Sequence, residues 1–367
     1  MASDINRAKD DTQVRIGITH GDINGIGYEI IIKSLIDNQI IDLITPVVFG
    51  ISKVASYHRK TLNLQDFNFN LIKRVDTANP KRPNIVNIYD REVKIDLGTL
   101  TPIAGEMAHL ALKAALSSLD HGEIDAIVTA PINKKNIQSK EFNFPGHTEF
   151  FADRYDVNDY LMLMVSNDLK IGVITGHIPI KEVSAALNED LVTRKIKIMH
   201  DSLRRDFAIQ KPKIAVLGLN PHAGDNGLLG SEEQEILIPV INKAQEDNML
   251  VYGPYPADGF FGTPNYKQFD GILAIYHDQG MVPFKTLAFE SGVNYTAGLP
   301  IIRTSPAHGT AFDIAGKDEA DASSMRAAIY LACDIFRNRT DYDEMNANPL
   351  QSNKKEGSRY DNGNHVV

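Results

Sequence analysis

The stretch GILAIYHDQGMVPFK, Gly271 to Lys285, sets six mostly apolar residues directly before a His-Asp pair, with a lysine seven residues past the aspartate. A short apolar run bounded by turn residues reads as a strand buried on both faces, the kind a parallel sheet requires. The two titratable groups at its end either cap the strand or are held in place by it, and the run alone leaves both readings open. Working outward, the same pattern recurs. VRIGIT (Val14 to Thr19), ITPVVFG (Ile44 to Gly50), AIVTAP (Ala126 to Pro131), LMLMV (Leu161 to Val165), IGVITG (Ile171 to Gly176) and KIAVLGL (Lys213 to Leu219) all read as strands ending in turn residues.

Between these runs lie helical patterns. Ile103, Met107, Leu110, Ala111 and Ala114 share one face, as do Leu191, Ile196, Met199 and Leu203 after a cap at Asn188. SEEQEILIPVINKAQED, from Ser231, reads as a further helix with that serine as its cap. Alternating strands and helices predict an α/β chain with a largely parallel sheet and helices on both faces.

Net charge is −9, which argues against a broad surface for nucleic acid or an anionic membrane while leaving room for a local basic pocket. The single cysteine, Cys333, cannot form an internal disulfide; it sits in an apolar helical pattern and reads as a buried thiol in a reducing compartment. The opening MASDINRAKDD has no apolar core of a signal peptide, and no run approaches the roughly 18 apolar residues of a membrane span. The expectation is a cytoplasmic protein.

In open α/β sheets ligands bind beyond the carboxyl ends of the strands, and there this chain repeatedly places histidine. IGVITGHIP delivers His177, KIAVLGLNPHAGD delivers His222 and GILAIYHDQG delivers His277. Three neutral imidazoles converging on one cation would leave positions open for substrate; each histidine could equally cap its own strand. In NFPGHTEFFADRY, His147 and Thr148 follow a Pro-Gly turn and open a helix, as anion ligands or as its N-cap. Lys285, Asn294 and Arg303 could bind a phosphate or carboxylate, with His308 a secondary candidate near cofactor or substrate. Gly21, Gly25 and Gly27 in GITHGDINGIGYEI fit neither a Rossmann fingerprint nor a P-loop, so they read as a tight turn lining the site, with His20 and Asp22 structural.

Eight separated blocks, GDINGIGYEI, TAPINKK, FPGHTEFFA, GHIP, LNPHAGDNGLLGSEE, GPYPADGFF, YHDQGMVPFK and TSPAHGTAFDIAG, occur in the order found in one family. From about Val14 to Asn338 the chain resembles the 4-hydroxythreonine-4-phosphate dehydrogenase family of the pyridoxine (vitamin B6) pathway. The resemblance implies an isocitrate/isopropylmalate-dehydrogenase-like α/β fold, two α/β/α lobes around a cleft. The first lobe is expected from residues 13–130 plus 290–340 and the second from 131–289, with 341–367 a polar, disordered tail. It implies a homodimer whose site is shared across the interface, and a divalent metal (zinc, magnesium or cobalt) on His177, His222 and His277. It further implies NAD or NADP as cofactor and a small phosphorylated substrate held by His147, Thr148, Lys285, Asn294 and Arg303. Lys285 or Asp278, both close in sequence to His277, is the candidate for moving the proton. The cofactor-contacting residues stay unassigned. The chain departs from the family at Asn24 and Tyr28, where Ala and Pro are common. Alternatives are a relative acting on a phosphorylated four-carbon sugar acid (threonate or erythronate 4-phosphate) and, more remotely, a metal-dependent hydrolase.

Overall fold

The structure is a computed structural model and describes residues 13–348. Its strands are β1 (Val14–Thr19), β2 (Ile44–Gly50), β3 (Asn70–Ile72), β4 (Asn84–Asn87), β5 (Ala126–Thr129), β6 (Leu161–Val165), β7 (Lys170–Val173), β8 (Lys213–Leu217), β9 (Leu250–Tyr255), β10 (Gly271–Ala274), β11 (Val293–Ala297) and β12 (Arg303–Pro306). They form one 12-stranded sheet in the order β3-β4-β2-β1-β5-β12-β11-β6-β7-β10-β8-β9. Among the described residues, eight of the eleven strand pairings are parallel, as the apolar runs predict. The other three, β12 with β11, β11 with β6 and β6 with β7, are antiparallel and consecutive. They form a seam at the centre, and the parallel blocks on its two sides run in opposite senses.

Successive side chains of a strand point to opposite faces, and the two faces are covered differently. One face carries a continuous core drawing on Ile16 and Ile18 of β1, Val128 of β5, Leu163 of β6, Leu273 of β10 and Val216 of β8. The other face carries two separate cores. One is built on Phe49, Ile127, Phe142, Phe150 and Phe151, the other on Met162, Met164, Ile171, Ala215, Ala274 and Phe284. The gap between them, over the seam, is the cleft.

Helix signals in the sequence hold with one exception. Asn188 caps Glu189–Arg205, its side chain accepting from Leu191 N at 2.9 Å. Pro102 opens Pro102–Asp120, whose Gly105 lies so close to Asn136 that a Cβ there would sit 2.0 Å from its carbonyl oxygen. The Ser231 cap does not form: that segment opens as a π-helical turn, Glu233–Leu237, without a side-chain cap. Cys333 is buried in Ser323–Asn346. This helix also corrects the expected start of the disordered tail at residue 341. Arg205 grips Asp343 at 2.6 Å and Arg204 lies over the Tyr342 ring, so polar side chains there have partners and the helix runs to Asn346. The rest of the expected tail, from residue 349, lies outside the described residues. No helix among them is long and apolar enough to cross a membrane.

The glycine turn after β1 is held from beneath. Asp22 accepts from Asn24 N at 2.9 Å and from Asn136 Nδ2 at 2.7 Å, and His58 Nε2 lies 3.0 Å from Ile23 O. Asn24, one of the two family departures, bonds Thr99 O and Thr101 Oγ1 and so ties the turn to the next loop. Tyr28, the other, is sandwiched between His20 and His58 at centroid separations of 5.1 and 5.2 Å. Burial pushes both imidazoles down to about 4. Between that value and 6.5 the unfolded chain binds protons that the native fold refuses, so stability falls as pH falls through this window. Denaturant melts at about pH 7 and about pH 5 should differ by on the order of 2 kcal/mol per histidine, and His58→Phe should remove part of that slope; an unchanged slope contradicts the assignment.

Candidate active site

The floor of the cleft is a row of side chains on one face of the seam. The register pairs Ser305 of β12 with Asn294 of β11 and Asn294 with Met164 of β6, and Thr129 at the end of β5 lines the same cleft. The walls are strand-end segments and two helix starts, and they enclose about 330 Å³. Of the residues expected at the site, His147, Thr148, His177, His277, Lys285, Asn294, Arg303 and the secondary candidate His308 all line this cleft. His222 and Asp278 do not.

Arg303 is the electrostatic centre of the floor. It is 3% exposed, and burial lowers its guanidinium to about 10, so it remains a cation at neutral pH. Its Nε and Nη2 donate to Thr129 Oγ1 at 3.1 and 2.9 Å, and Nη2 also donates to His147 Nδ1 at 3.2 Å. The remaining nitrogen, Nη1, is buried without a partner, as are Asn294 Oδ1 and His308 Nε2. A buried polar group left unpaired costs about 1–3 kcal/mol, and more if charged, so an anionic group of a ligand would satisfy Arg303 Nη1. Asn294 Oδ1 and the Nε2 of His308, whose Nδ1 faces Gly309 O at 3.1 Å, are acceptors that a ligand's N–H or O–H donors would satisfy. His147 is held well below the ordinary histidine value by burial first, then by the nearby Arg303 and Lys134 charges. It is therefore neutral, and because Nδ1 accepts from Arg303 the ring proton sits on Nε2.

His147 and Thr148 open the helix His147–Arg154 behind Gly146, which makes no side-chain cap. They are the first residues of the helix, so the N-cap reading does not hold, and Thr148 is buried. The run that opened the sequence reading resolves similarly. β10 ends at Ala274, Tyr276 precedes the helix His277–Ala288, and His277 and Asp278 form its first turn, where a carboxylate suits the helix dipole. Lys285, two turns on, reaches the same cleft.

His177 and His277 face each other with ring centroids 5.2 Å apart. Asp278 Oδ1 lies 2.7 Å from His277 Nδ1, and Glu149 Oε1 lies 3.8 Å from His177 Nδ1. At hydrogen-bonding distance the Asp278 carboxylate orients the His277 ring and leaves its Nε2 as the lone-pair donor, which is the chemistry a divalent metal needs; Glu149 stands beyond hydrogen-bond reach of His177. Asp278 thus sits behind His277, its side chain 77% exposed, on the outer side of the helix rather than in the cleft. Within one chain no third His, Cys, Asp or Glu among the described residues joins this pair as a metal set. His222 lies on the exposed segment after β8, in a left-handed run from His222 to Asn226 with φ between 43° and 80°. Left-handed backbone costs non-glycine residues about 1–2 kcal/mol each, and the buried Glu233 offsets this by accepting from Asn220 N at 2.7 Å and Asn220 Nδ2 at 2.9 Å. Sequence reading did not single out Lys134, Glu149 or Ser305. Lys134 stood within the TAPINKK block and Glu149 two residues after His147, whereas Ser305 becomes visible only through strand register.

This cleft, with its cationic floor and facing imidazoles, sits in a chain whose residues 42–332 match the family model described as pyridoxal phosphate biosynthetic protein PdxA. The chain belongs to the PdxA family. The 4-hydroxythreonine-4-phosphate dehydrogenase of Bacteroides thetaiotaomicron is 52% identical over 343 residues, 93% of this chain and 94% of that one. A relative from Oceanobacillus iheyensis, 38% identical over 87% of this chain and 97% of its own, is provisionally named a D-threonate 4-phosphate dehydrogenase. The crystal structure of the Klebsiella pneumoniae 4-hydroxythreonine-4-phosphate dehydrogenase superposes with a TM-score of 0.75 at 36% identity, covering 89% of this chain and 99% of that one. The chain is a dehydrogenase of this family, which implies NAD(P)-dependent oxidation, and its α/β fold is the family's.

Proposed function

We propose that the chain oxidises the C3 hydroxyl of 4-phosphooxy-L-threonine with NAD(P)+ in pyridoxal phosphate biosynthesis, and that it works in the cytoplasm. The C3–H bond breaks with its electron pair passing to the nicotinamide as hydride, and the hydroxyl proton leaves. The 3-keto acid then loses its carboxylate as carbon dioxide, giving 3-amino-2-oxopropyl phosphate. The observation that carries this reading is the buried, partly unpaired Arg303 guanidinium in one cleft with the facing His177 and His277 imidazoles.

The residues divide the work between them. Arg303 Nη1, Asn294 and Thr148 bind the anionic end of the substrate, and His147 donates from Nε2. Lys285 stands on the opposite wall to accept and return the proton. His177, His277 and His222 would hold the divalent ion (zinc, magnesium or cobalt), which when bound supplies Lewis-acid charge that lowers the hydroxyl pKa. His222 joins the site in a homodimer, where the exposed apolar Leu228 and Leu229 beside it and Val282 and Leu287 near His277 are covered.

The test is an assay of reduced nicotinamide with 4-phosphooxy-L-threonine beside threonate and erythronate 4-phosphates, with each cofactor and with or without added metal. Turnover of the amino substrate at least about tenfold above the sugar acids, a difference of ~1.4 kcal/mol, supports the reading. Preference for the acids lacking the amino group overturns it in favour of the sugar-acid alternative, and phosphate release without NAD(P) reduction overturns both.

A further inference from the structure

Arg303 opens β12, and the register sets it beside Ile127 of β5 in a parallel pair. Paired residues of parallel strands present their side chains on one face, as do residues two apart on a strand, so Ile127, Thr129 and Arg303 share a face. The guanidinium does not stay beside Ile127. Its stem runs forward by two residues, about 6.6 Å of strand, and ends at Thr129, which lines the cleft. Thr129 is fully buried on β5, in register with Thr19 of β1 on the far side from β12. A branched Cβ restricts the rotamers of threonine, so its Oγ1 is a fixed point at the edge of the cleft.

A guanidinium carries five N–H donors in one plane, and the edges of this one are used in a definite way. Nε and Nη2, which form its side-on fork, both donate to Thr129 Oγ1, at 3.1 and 2.9 Å. Nη2 also donates to His147 Nδ1 at 3.2 Å. One face of the plane lies over the Phe151 ring, 5.9 Å from the guanidinium carbon. Nη1 alone is left buried and without a partner. The side-on fork is an edge with which arginine can grip an oxyanion by paired bonds; here a neutral hydroxyl occupies it. That hold matters because the cleft contains a competitor for the ligand. Glu149 lines the same cleft and its charge acts on Arg303, yet it does not pair with it. A guanidinium free to turn would close on that carboxylate and cancel the site.

We infer that Thr129 is a positioning residue of the anion site: by occupying the side-on fork of Arg303 it keeps the guanidinium turned so that Nη1 meets the anionic oxygen of the ligand. The inference rests on the reading of Arg303 as the anion-binding cation and adds to it a residue that acts through that cation. Thr129→Val keeps the shape and removes the acceptor, leaving two donors of a buried cation unpaired. Thr129→Ser keeps the oxygen. Hydrogen bonds to a charged group are worth about one to two tenfold steps in affinity, so KM should rise about 10- to 100-fold in Thr129→Val, with kcat changed far less.

The experiment is a double-mutant cycle in the full-length protein, built from Thr129→Val, Arg303→Met and the double variant, with Thr129→Ser beside them. Calorimetry gives substrate affinity, the reduced-nicotinamide assay gives KM and kcat, and circular dichroism checks folding. The cycle is run with 4-phosphooxy-L-threonine and with erythronate 4-phosphate, both phosphorylated acids, so it decides the role of Thr129 whichever of them the wild type prefers. Thr129→Val should weaken binding in the wild-type background and add little on top of Arg303→Met, because the group through which it acts is gone. A merely structural role would cost the same in both backgrounds, and that result overturns the inference. So does equal loss in Thr129→Ser and Thr129→Val, since serine retains the acceptor. If Arg303→Met binds as tightly as wild type, the anion reading itself fails. Loss in Arg303→Met with full affinity in Thr129→Val leaves that reading standing and removes Thr129 alone. Should Thr129→Val fail to fold, Thr129→Ala completes the same cycle.

Discussion

In His277→Ala, turnover is expected to fall by about three orders of magnitude, the ~4 kcal/mol that Lewis-acid stabilisation of a developing alkoxide supplies. Stoichiometric divalent metal should be lost in the same variant. The effect is large because His277 is one of the two imidazoles that already meet in the cleft, its Nδ1 held by Asp278 at 2.7 Å. Asp278→Asn should do less, since the histidine stays and only its orientation and basicity change, so metal affinity should drop by about tenfold. Measuring kcat and metal content together distinguishes this scheme from a solvent-facing histidine of no consequence. A His277→Ala enzyme with native turnover, or a chelated wild type that works at full rate, would end the metal reading.

Arg303→Met is expected to raise KM by two to three orders of magnitude, with kcat changed far less. The guanidinium is buried, pinned by Thr129 and His147, and still has Nη1 free. Removing one member of a buried, hydrogen-bonded charge pair costs about 2–5 kcal/mol, which is the range of that loss in affinity. Methionine fills much of the volume, so packing against Phe151, whose ring lies 5.9 Å from the guanidinium carbon, is largely kept. Arg303→Lys restores charge but not the planar fork, and it should recover only part of the affinity. Substrate titration into the catalytically silent His277→Ala background isolates the binding effect. Unaltered substrate affinity in Arg303→Met would remove Arg303 from the anion site.

Much of this molecule was legible because strands buried on both faces cannot hide their composition. VRIGIT, ITPVVFG and LMLMV begin and end as strands where their apolar runs do. The antiparallel seam was not read, although Ser166 to Asp168 between β6 and β7 carried turn residues. Sequence shows that a strand is buried but not which way its neighbour runs. The short strands β3 and β4 escaped because polar residues dilute their pattern. At the site, residue type announced the histidines, and the family resemblance gave Asn294 and Arg303 their place. The geometry around them was beyond reach. Left-handed backbone at His222, Ala223, Asp225 and Asn226 contradicts the usual expectation that glycine takes such positions. It exists because Glu233, eleven residues on, holds the root of the turn.

The position of β11 and β12 has a consequence for how the chain is made. They are the last two strands in sequence, yet they stand in the middle of the sheet, between β5 and β6. Until residues 293–306 emerge from the ribosome, β5 ends one partial sheet and β6 ends another, each with an unpaired edge of buried-type residues. Such edges invite pairing with other chains. Ser305 and Asn294 of the cleft floor arrive with these late strands, so the floor is laid down by the same event that closes the two edges. A nascent chain stalled before residue 293 would lack part of the cleft floor and be adhesive, and the emergence of β11 and β12 relieves both conditions at once.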